Sequence, residues 1–220
     1  VCARVEISEP GLIRQWCEDR GLSLLIDDFP RYNIGPHSVL PVLWQVVDPK
    51  AELVLWGMTP KFWKGDGKPK LLHNARSETI WERANFKYLI RGYRCVVLVN
   101  GFFEWVRSGT SKLPYHIQMS EAGQPLCLAG IWHMNDDHMA CSIVTTGSNS
   151  LMAPIHDRMP VVLDDVSIAT WLTTRKREEV DYLMKPCPSE WLMATPVDPC
   201  INNMRYQGPF HPVDTQSPQL

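Results

Sequence analysis

Short apolar blocks rich in β-branched and aromatic residues fill the middle of the chain, and turn-forming residues separate them. Each block has the length and composition of a β-strand rather than of a helix. The blocks are LPVLWQVV (40–47), ELVLWGM (52–58), RCVVLVNGFFEW (94–105), LPYHIQM (113–119), PLCLAGIWHM (125–134), ACSIVTTG (140–147) and MPVVL (159–163). We therefore predict that the centre of the protein is built mainly from strands.

Apolar residues at helical spacing occur on either side of these blocks. Ser8 is a candidate N-cap for a first helix, and a second helix is predicted over 77–90. Asp164 or Asp165 would cap a third helix, and the apolar residues of 180–184 belong to a fourth. Helices thus accompany the predicted strands at the flanks.

Strands in the middle and helices at the flanks favour the α+β class. We predict a single domain over residues 1–206, with a mixed sheet that is curved or barrel-like and flanked by helices. The chain has 220 residues, 45% of them hydrophobic, which is enough for a sizeable core. The Pro- and Gln-rich residues 207–220 are predicted to form a flexible tail.

Charge and cysteine content narrow the function classes. The 22 Lys plus Arg and 24 Asp plus Glu give a net charge of −2, which argues against a uniformly basic nucleic-acid coat but allows a local basic groove. Seven cysteines without a CxxC pair argue against a disulfide scaffold or a zinc ribbon. We find no glycine-rich phosphate loop and no apolar run long enough to span a membrane. We therefore expect no metal, no cofactor and no membrane partner, and we predict a cytoplasmic monomer.

The loop 59–70 places Phe62 and Trp63 among lysines. Exposed aromatic rings beside cations suit a surface that stacks bases and contacts phosphates. The alternative is that both rings fold back onto the core, and the composition does not choose between them.

Cys2 stands out because of its position. If Val1 is removed, Cys2 carries a thiol and a free α-amine, whose ordinary pKa values are about 8.5 and about 8. Such an aminothiol can capture an aldehyde as an imine, which the sulfur then closes to a thiazolidine. The alternative is a small buried hydrophobe.

Polar residues inside apolar surroundings are the other candidates for chemistry. Glu104 in NGFFEW is predicted to be a desolvated acid or base, or else a strand-end carboxylate in water. The stretch 73–78 precedes a predicted helix, where it could hold an anion or only cap the helix. His156 lies with Asp157 and Arg158 in a loop that enters a strand, where it is either functional or structural.

Read together, these segments resemble the SRAP (SOS response-associated peptidase) family from residue 2 to about 203. The resemblance is carried by Cys2-Ala3-Arg4, Arg31-Tyr32-Asn33-Ile34-Gly35-Pro36, Trp56-Gly57-Met58-Thr59-Pro60 with Trp63, Asn74-Ala75-Arg76-Ser77-Glu78-Thr79, Gly101-Phe102-Phe103-Glu104-Trp105, Ala129-Gly130-Ile131-Trp132, Ile155-His156-Asp157-Arg158-Met159-Pro160 and Thr195-Pro196-Val197-Asp198 through Asn202. Each motif is weakly specific, but all of them in this order are strongly specific.

The resemblance implies a protein that binds single-stranded DNA and crosslinks to abasic sites through a thiazolidine on the N-terminal cysteine. It implies that Cys2 is the nucleophile and that Asn74, Glu104 and His156 surround it as polar and acid–base groups. It also implies roles toward DNA. Arg4, Arg76 and Arg158 would hold backbone phosphates. Trp63 would lie near the DNA path, and Pro36 would lie near the kinked strand. In a bacterium such a protein would associate with the nucleoid when bound to DNA.

The start of the chain departs from the family pattern. The family usually begins Met-Cys-Gly-Arg, whereas Val1 and Ala3 stand here. If residue 1 stays attached, the nitrogen of Cys2 is an amide and no thiazolidine can form.

Two other functions stay open. One is an N-terminal-nucleophile cysteine peptidase or amidohydrolase, which includes autoproteolytic removal of residue 1. The other is a non-covalent reader of modified or single-stranded DNA.

Overall fold

The structure is a computed structural model that describes residues 2–44, 49–61, 63–65, 67, 69–109, 111–135 and 138–214. Within these ranges the strands are β1 (Val5–Ile7), β2 (Arg31–Ile34), β3 (Val39–Trp44), β4 (Lys50–Trp56), β5 (Asn74–Arg76), β6 (Arg94–Val99), β7 (Gly101–Ser108), β8 (Ser111–Met119), β9 (Leu126–Asn135), β10 (His138–Gly147), β11 (Arg158–Pro160) and β12 (Leu192–Pro196). The α-helices are α1 (Pro10–Glu18), α2 (Asp165–Thr173) and α3 (Arg177–Leu183), and short 3₁₀ turns cover Leu89–Arg91, Ser189–Trp191 and Pro199–Asn202.

Five strands close into a small barrel. The order β10-β4-β3-β6-β9 is completed by pairing of β9 with β10 from His138↔Asn135 to Ile143↔Gly130. Every residue of β6 is buried, as expected for a strand covered on both faces. The predicted α+β domain with a curved, barrel-like mixed sheet is thus confirmed.

One edge of β10 is shared by two strands in turn. β4 runs parallel to β10 at Ala140 and Cys141, and β5 takes its place from Ile143 to Thr145. The chain between them leaves the sheet as a loop, closed at its base by two backbone hydrogen bonds between Met58 and Leu72 of 3.0 and 2.9 Å. This excursion brings the start of β5 back to the barrel beside β10.

A second sheet has the order β12-β8-β7-β1-β2 and is antiparallel. Asn100 alone separates β6 of the barrel from β7 of this sheet, so the predicted block 94–105 is two strands in two sheets. Buried residues of both sheets belong to one hydrophobic cluster, which includes Val5 and Ile7 of β1 and Val96 of β6. The two sheets therefore share one core.

The predicted helices are only partly correct. Asp164 caps α2 by accepting a 2.7 Å hydrogen bond from the Ser167 N–H. α1 begins at Pro10 with Glu9 rather than Ser8 at the N-cap, and the Ser8 N–H donates a 2.6 Å hydrogen bond to the Glu6 carboxylate. Proline is favourable at a first helical position, where its missing N–H is not needed.

The helix predicted over 77–90 was wrong. The segment is a series of turns that ends in the short 3₁₀ turn, and Arg83 O accepts from both Phe86 N and Lys87 N. Ile80 and Ile90 are fully buried at its two ends. Burial of these ends, rather than regular helical hydrogen bonding, determines the path between them.

Part of the segment assigned to the tail contacts the second sheet. Phe210 packs at 5.0 Å on the ring of Phe103 and at 4.7 Å on His116, measured between centroids, and Val197 bridges to Pro212. Residues 207–214 thus extend the fold beyond 206, and 215–220 lie outside the described residues. No helix in the described ranges is long and apolar enough to cross a membrane.

Candidate active site

Cys2 lies at the junction of the two sheets, three residues before β1. Its side chain is fully buried, and its backbone nitrogen donates a 2.5 Å hydrogen bond to Oε1 of Glu104. Burial, reinforced by the negative charge of Glu104, raises the pKa of the Cys2 thiol far above its ordinary value. The thiol is therefore protonated at neutral pH.

The pairing of β1 with β7 explains why Glu104 meets Cys2. Val5 pairs with Phe102, and the Phe103 N–H donates a 3.0 Å bond to the Arg4 carbonyl. Two phenylalanines precede Glu104, and only 4% of Glu104 is exposed. A carboxylate is thus held in a mostly dry place, where its hydrogen bonds are stronger than in water.

Asn74 reaches the same residue from the barrel. It is the first residue of β5, where it pairs with Ile143, and its side-chain Nδ2 donates a 3.2 Å bond to the carbonyl oxygen of Cys2. The backbone of Cys2 is therefore held by the second sheet through Glu104 and by the barrel through Asn74.

His156 is placed by the turns that precede β11. Its backbone N–H bonds to Met152 O at 2.8 Å, and its ring Nδ1 accepts from the Arg158 N–H at 3.0 Å. The Asp157 carboxylate is also 2.9 Å from Nδ1 and would require a proton there, but that side chain is 86% exposed. The backbone donor is fixed and the surface ion pair is weak, so we assign the proton to Nε2.

A polar cavity of about 300 Å³ opens beside Cys2. It brings together three of the predicted site residues with five others and is lined by Ala3, Arg4, Glu104, Trp105, Arg107, Lys112, His156 and Asn202. No role in chemistry or DNA binding was predicted for four of them, Trp105, Arg107, Lys112 and Asn202. Arg107 and Lys112 are directly paired across the β7–β8 hairpin, so recognising that hairpin would have placed the two cations beside each other.

Hydrogen bonds also hold Arg4 and Asn202 in the cavity wall. Arg4 donates to Asn33 Oδ1 at 2.6 Å and to Ile201 O at 3.1 Å, while its guanidinium lies 5.7 Å from the centre of the Trp105 ring. Asn202 accepts from the Trp105 indole N–H at 2.6 Å. Burial lowers the pKa of Arg4, which nevertheless remains a cation at neutral pH.

The three arginines assigned to phosphates differ in their surroundings. Arg76 is exposed on β5, whereas the Arg158 side chain is only 13% exposed. Arg158 makes a two-pronged pair with Glu78 at 2.9 and 3.0 Å and also bonds to the Thr145 carbonyl at 2.9 Å. The Arg158 fork is thus turned toward Glu78 and β10, where it anchors the loop that carries His156.

The remaining predicted residues are not among those that line the cavity. Pro36 is half-buried and follows Gly35, where an added Cβ would lie 3.9 Å from Arg4 Nε. Trp63 is 43% exposed, and its ring lies over Gly65. Phe62 lies outside the described residues.

In the described part of the chain, no group of three or more His, Cys, Asp or Glu side chains could hold a metal ion.

Known proteins resemble this chain in sequence. The family model of the SOS response associated peptidase (SRAP) matches residues 1–204. The chain belongs to the SRAP family. SRAP relatives include the abasic site processing protein YedK of Escherichia coli, 30% identical over 81% of this chain and 82% of its own length. Another is the abasic site processing protein HMCES of Xenopus tropicalis, 32% identical over 82% of this chain and 64% of its own length.

The fold of this SRAP chain is also seen in a crystal structure. A protein from Bacteroides thetaiotaomicron superimposes with a TM-score of 0.79 and 24% identity, covering 92% of this chain and 95% of the other. That likeness confirms the fold.

Proposed function

We propose that this SRAP protein binds single-stranded DNA and forms a covalent thiazolidine between Cys2 and the ring-opened aldehyde of an abasic site. Relatives named as abasic site processing proteins support the substrate class. The 2.5 Å contact between the Cys2 nitrogen and the Glu104 carboxylate is the observation that carries the proposal. Once residue 1 has been removed, that nitrogen is the free amine, and Glu104 is positioned to accept its proton.

The reaction balances without a cofactor. The amine of Cys2 adds to the aldehyde carbon to give a carbinolamine, which loses water to form an imine. The thiol then adds to the imine carbon, its proton passes to the nitrogen, and the five-membered ring closes. The products are one thiazolidine and one water.

Proton transfers in these steps suit the side chains around Cys2. Glu104 would take a proton from the amine and return it when the carbinolamine loses water. His156, with its proton on Nε2, would donate to the sugar ring oxygen as the abasic sugar opens. Asn74 would hold the Cys2 carbonyl so that the amine faces the cavity.

The buried thiol favours this order of steps over a peptidase mechanism. A cysteine peptidase needs a thiolate, and such cysteines lie in electropositive, partly exposed places. Burial and Glu104 instead keep the Cys2 thiol protonated. An amine that attacks first and a neutral thiol that closes the ring later fit these surroundings.

Cations around the cavity would hold the DNA backbone. Arg4, Arg107 and Lys112 line it, and Arg76 is exposed on the neighbouring β5. Guanidinium groups bind phosphate oxygens with two parallel hydrogen bonds. We assign Arg158 to positioning His156, because Glu78 occupies its fork.

The test begins with the intact mass of the purified protein, which shows whether residue 1 is present. The processed protein is then mixed with a single-stranded oligonucleotide that contains one abasic site, and a denaturing gel is run. We expect a shifted, heat-resistant band that Cys2→Ala abolishes and Cys200→Ala, at a half-buried cysteine, retains.

Four outcomes would contradict the proposal. One is no shifted band from the processed protein, and another is equal crosslinking by Cys2→Ala. Turnover of amide substrates without crosslinking would favour the peptidase, and reversible binding unaffected by Cys2→Ala would favour the non-covalent reader.

A further inference from the structure

A second cavity, of about 410 Å³, is separate from the residues that surround Cys2. It lies between the barrel, the turn segment 77–93 and the start of the loop 59–70, and its lining is almost entirely apolar. Its volume falls in the range of about 300–1,000 Å³ found for small-ligand sites. Nothing in the proposed chemistry of Cys2 uses it.

Aromatic rings form one side of this cavity. The Tyr88 and Tyr93 rings lie 5.3 Å apart, and Tyr93 meets Trp132 edge-on at 5.3 Å, measured between centroids. Tyr88 is 60% exposed and Met134 is 57% exposed, so large apolar side chains stand uncovered at its edge. Such walls suit a planar ring that can stack on or pack against them.

The positive charge of the neighbouring loop favours a ligand that carries negative charge. Residues 59–70 contain four lysines and one aspartate. Lys61 lines the cavity, and its backbone N–H donates a 2.9 Å bond to Oδ1 of Asn85, which also lines it. A flat apolar ring with negative charge outside the cavity matches both features, and an unpaired nucleobase with its phosphates has this character.

The residues that follow loop 59–70 connect the cavity to Cys2. Leu72 lines the cavity, and Asn74, two residues later, bonds to the Cys2 carbonyl. Two extended residues span about 7 Å of backbone. A strand with its abasic position at Cys2 would therefore have a neighbouring nucleotide near the cavity.

We propose that this cavity binds one unpaired nucleobase of the same DNA strand, at a fixed offset from the abasic position. The proposal rests on the proposed function for the identity of the strand. Stacking on Tyr88 holds the base, and Lys61, which lines the cavity, holds its phosphate.

The experiment uses oligonucleotides with a reduced abasic residue, which has no aldehyde and cannot crosslink. A second base-free residue is moved through the neighbouring positions on either side, and the dissociation constant is measured by fluorescence anisotropy. At one offset the wild-type protein should bind about tenfold more weakly, as expected for one lost stacking contact. The other offsets should show little change.

Variants decide whether the cavity causes that dependence. Tyr88→Ala should remove it, and Ala84→Phe, which fills the cavity from its exposed wall, should remove it as well. Tyr182→Ala, at a tyrosine of α3 that is 68% exposed and outside the cavity lining, should retain it.

Equal weakening at all offsets, no weakening at any, or an offset dependence that survives in Tyr88→Ala would overturn the proposal. Because this assay needs no covalent bond, it fails independently of crosslinking to an ordinary abasic site, which tests the proposed function.

Discussion

Replacing Glu104 by glutamine tests the proposed chemistry most directly. Glutamine has nearly the same shape, but it cannot accept a proton from the Cys2 amine. The backbone nitrogen that becomes this amine when residue 1 is removed lies 2.5 Å from Oε1 of Glu104. A hydrogen bond to a charged group contributes about 1.5–3 kcal/mol, which corresponds to roughly 10- to 150-fold. Proton transfer by a positioned side chain contributes about 10²–10⁴-fold. We therefore expect crosslinking to slow about 100-fold at neutral pH.

The assay is single-turnover crosslinking with excess processed protein, followed on denaturing gels. Because a free α-amine has a pKa of about 8, raising the pH to about 9 supplies unprotonated amine without a base, and the defect should shrink to about tenfold. Glu121→Gln, at an exposed glutamate outside the polar cavity, is the matched control. Thermal melting of both variants shows that they fold. A rate for Glu104→Gln within about twofold of wild type would refute Glu104 as the base.

Three further predictions concern stability. Burial lowers the pKa of His73, so below about pH 6.5 the unfolded state binds more protons than the folded state does. The free energy of unfolding should therefore decline as the pH falls through this range. Melting temperatures should decline less in His73→Phe than in the wild type. Phe210→Ala removes a half-buried ring from Phe103 and should lower the free energy of unfolding by about 1–2 kcal/mol in urea titrations; an unchanged midpoint would mean that residues 207–214 add nothing. Gly57→Ala should destabilise by about 1–3 kcal/mol, because φ is +125° and the new Cβ would lie 3.0 Å from Leu71; a calorimetric melt equal to wild type would contradict the strain.

Much of the fold could be predicted because strand signals are local. Alternating or continuous apolar blocks bounded by turns identify strands whatever their partners. Closure of the barrel could not be predicted, since it depends on β9 pairing with two strands at once. The segment 77–90 was misjudged because its apolar spacing resembles a helix, whereas Ile80 and Ile90 are buried at its two ends without regular helical hydrogen bonding between them.

The residues of the candidate site could likewise be predicted only in part from the sequence. Cys2, Asn74, Glu104 and His156 could be nominated because polar residues in apolar settings are conspicuous, and the structure brings all four to one end of the molecule. The pairing of Arg158 with Glu78 joins positions 80 residues apart, which no local pattern indicates.

The two bonds that hold the backbone of Cys2 come from different sheets. Glu104 belongs to the sheet that contains β1, and Asn74 belongs to the strand that extends the barrel. A small shift of one sheet against the other would lengthen one of these bonds without unfolding either sheet. Substitutions in the shared core, at positions away from the polar cavity, should therefore change the rate of the proposed crosslinking reaction more than the melting temperature. A survey of variants that scores only stability would miss them.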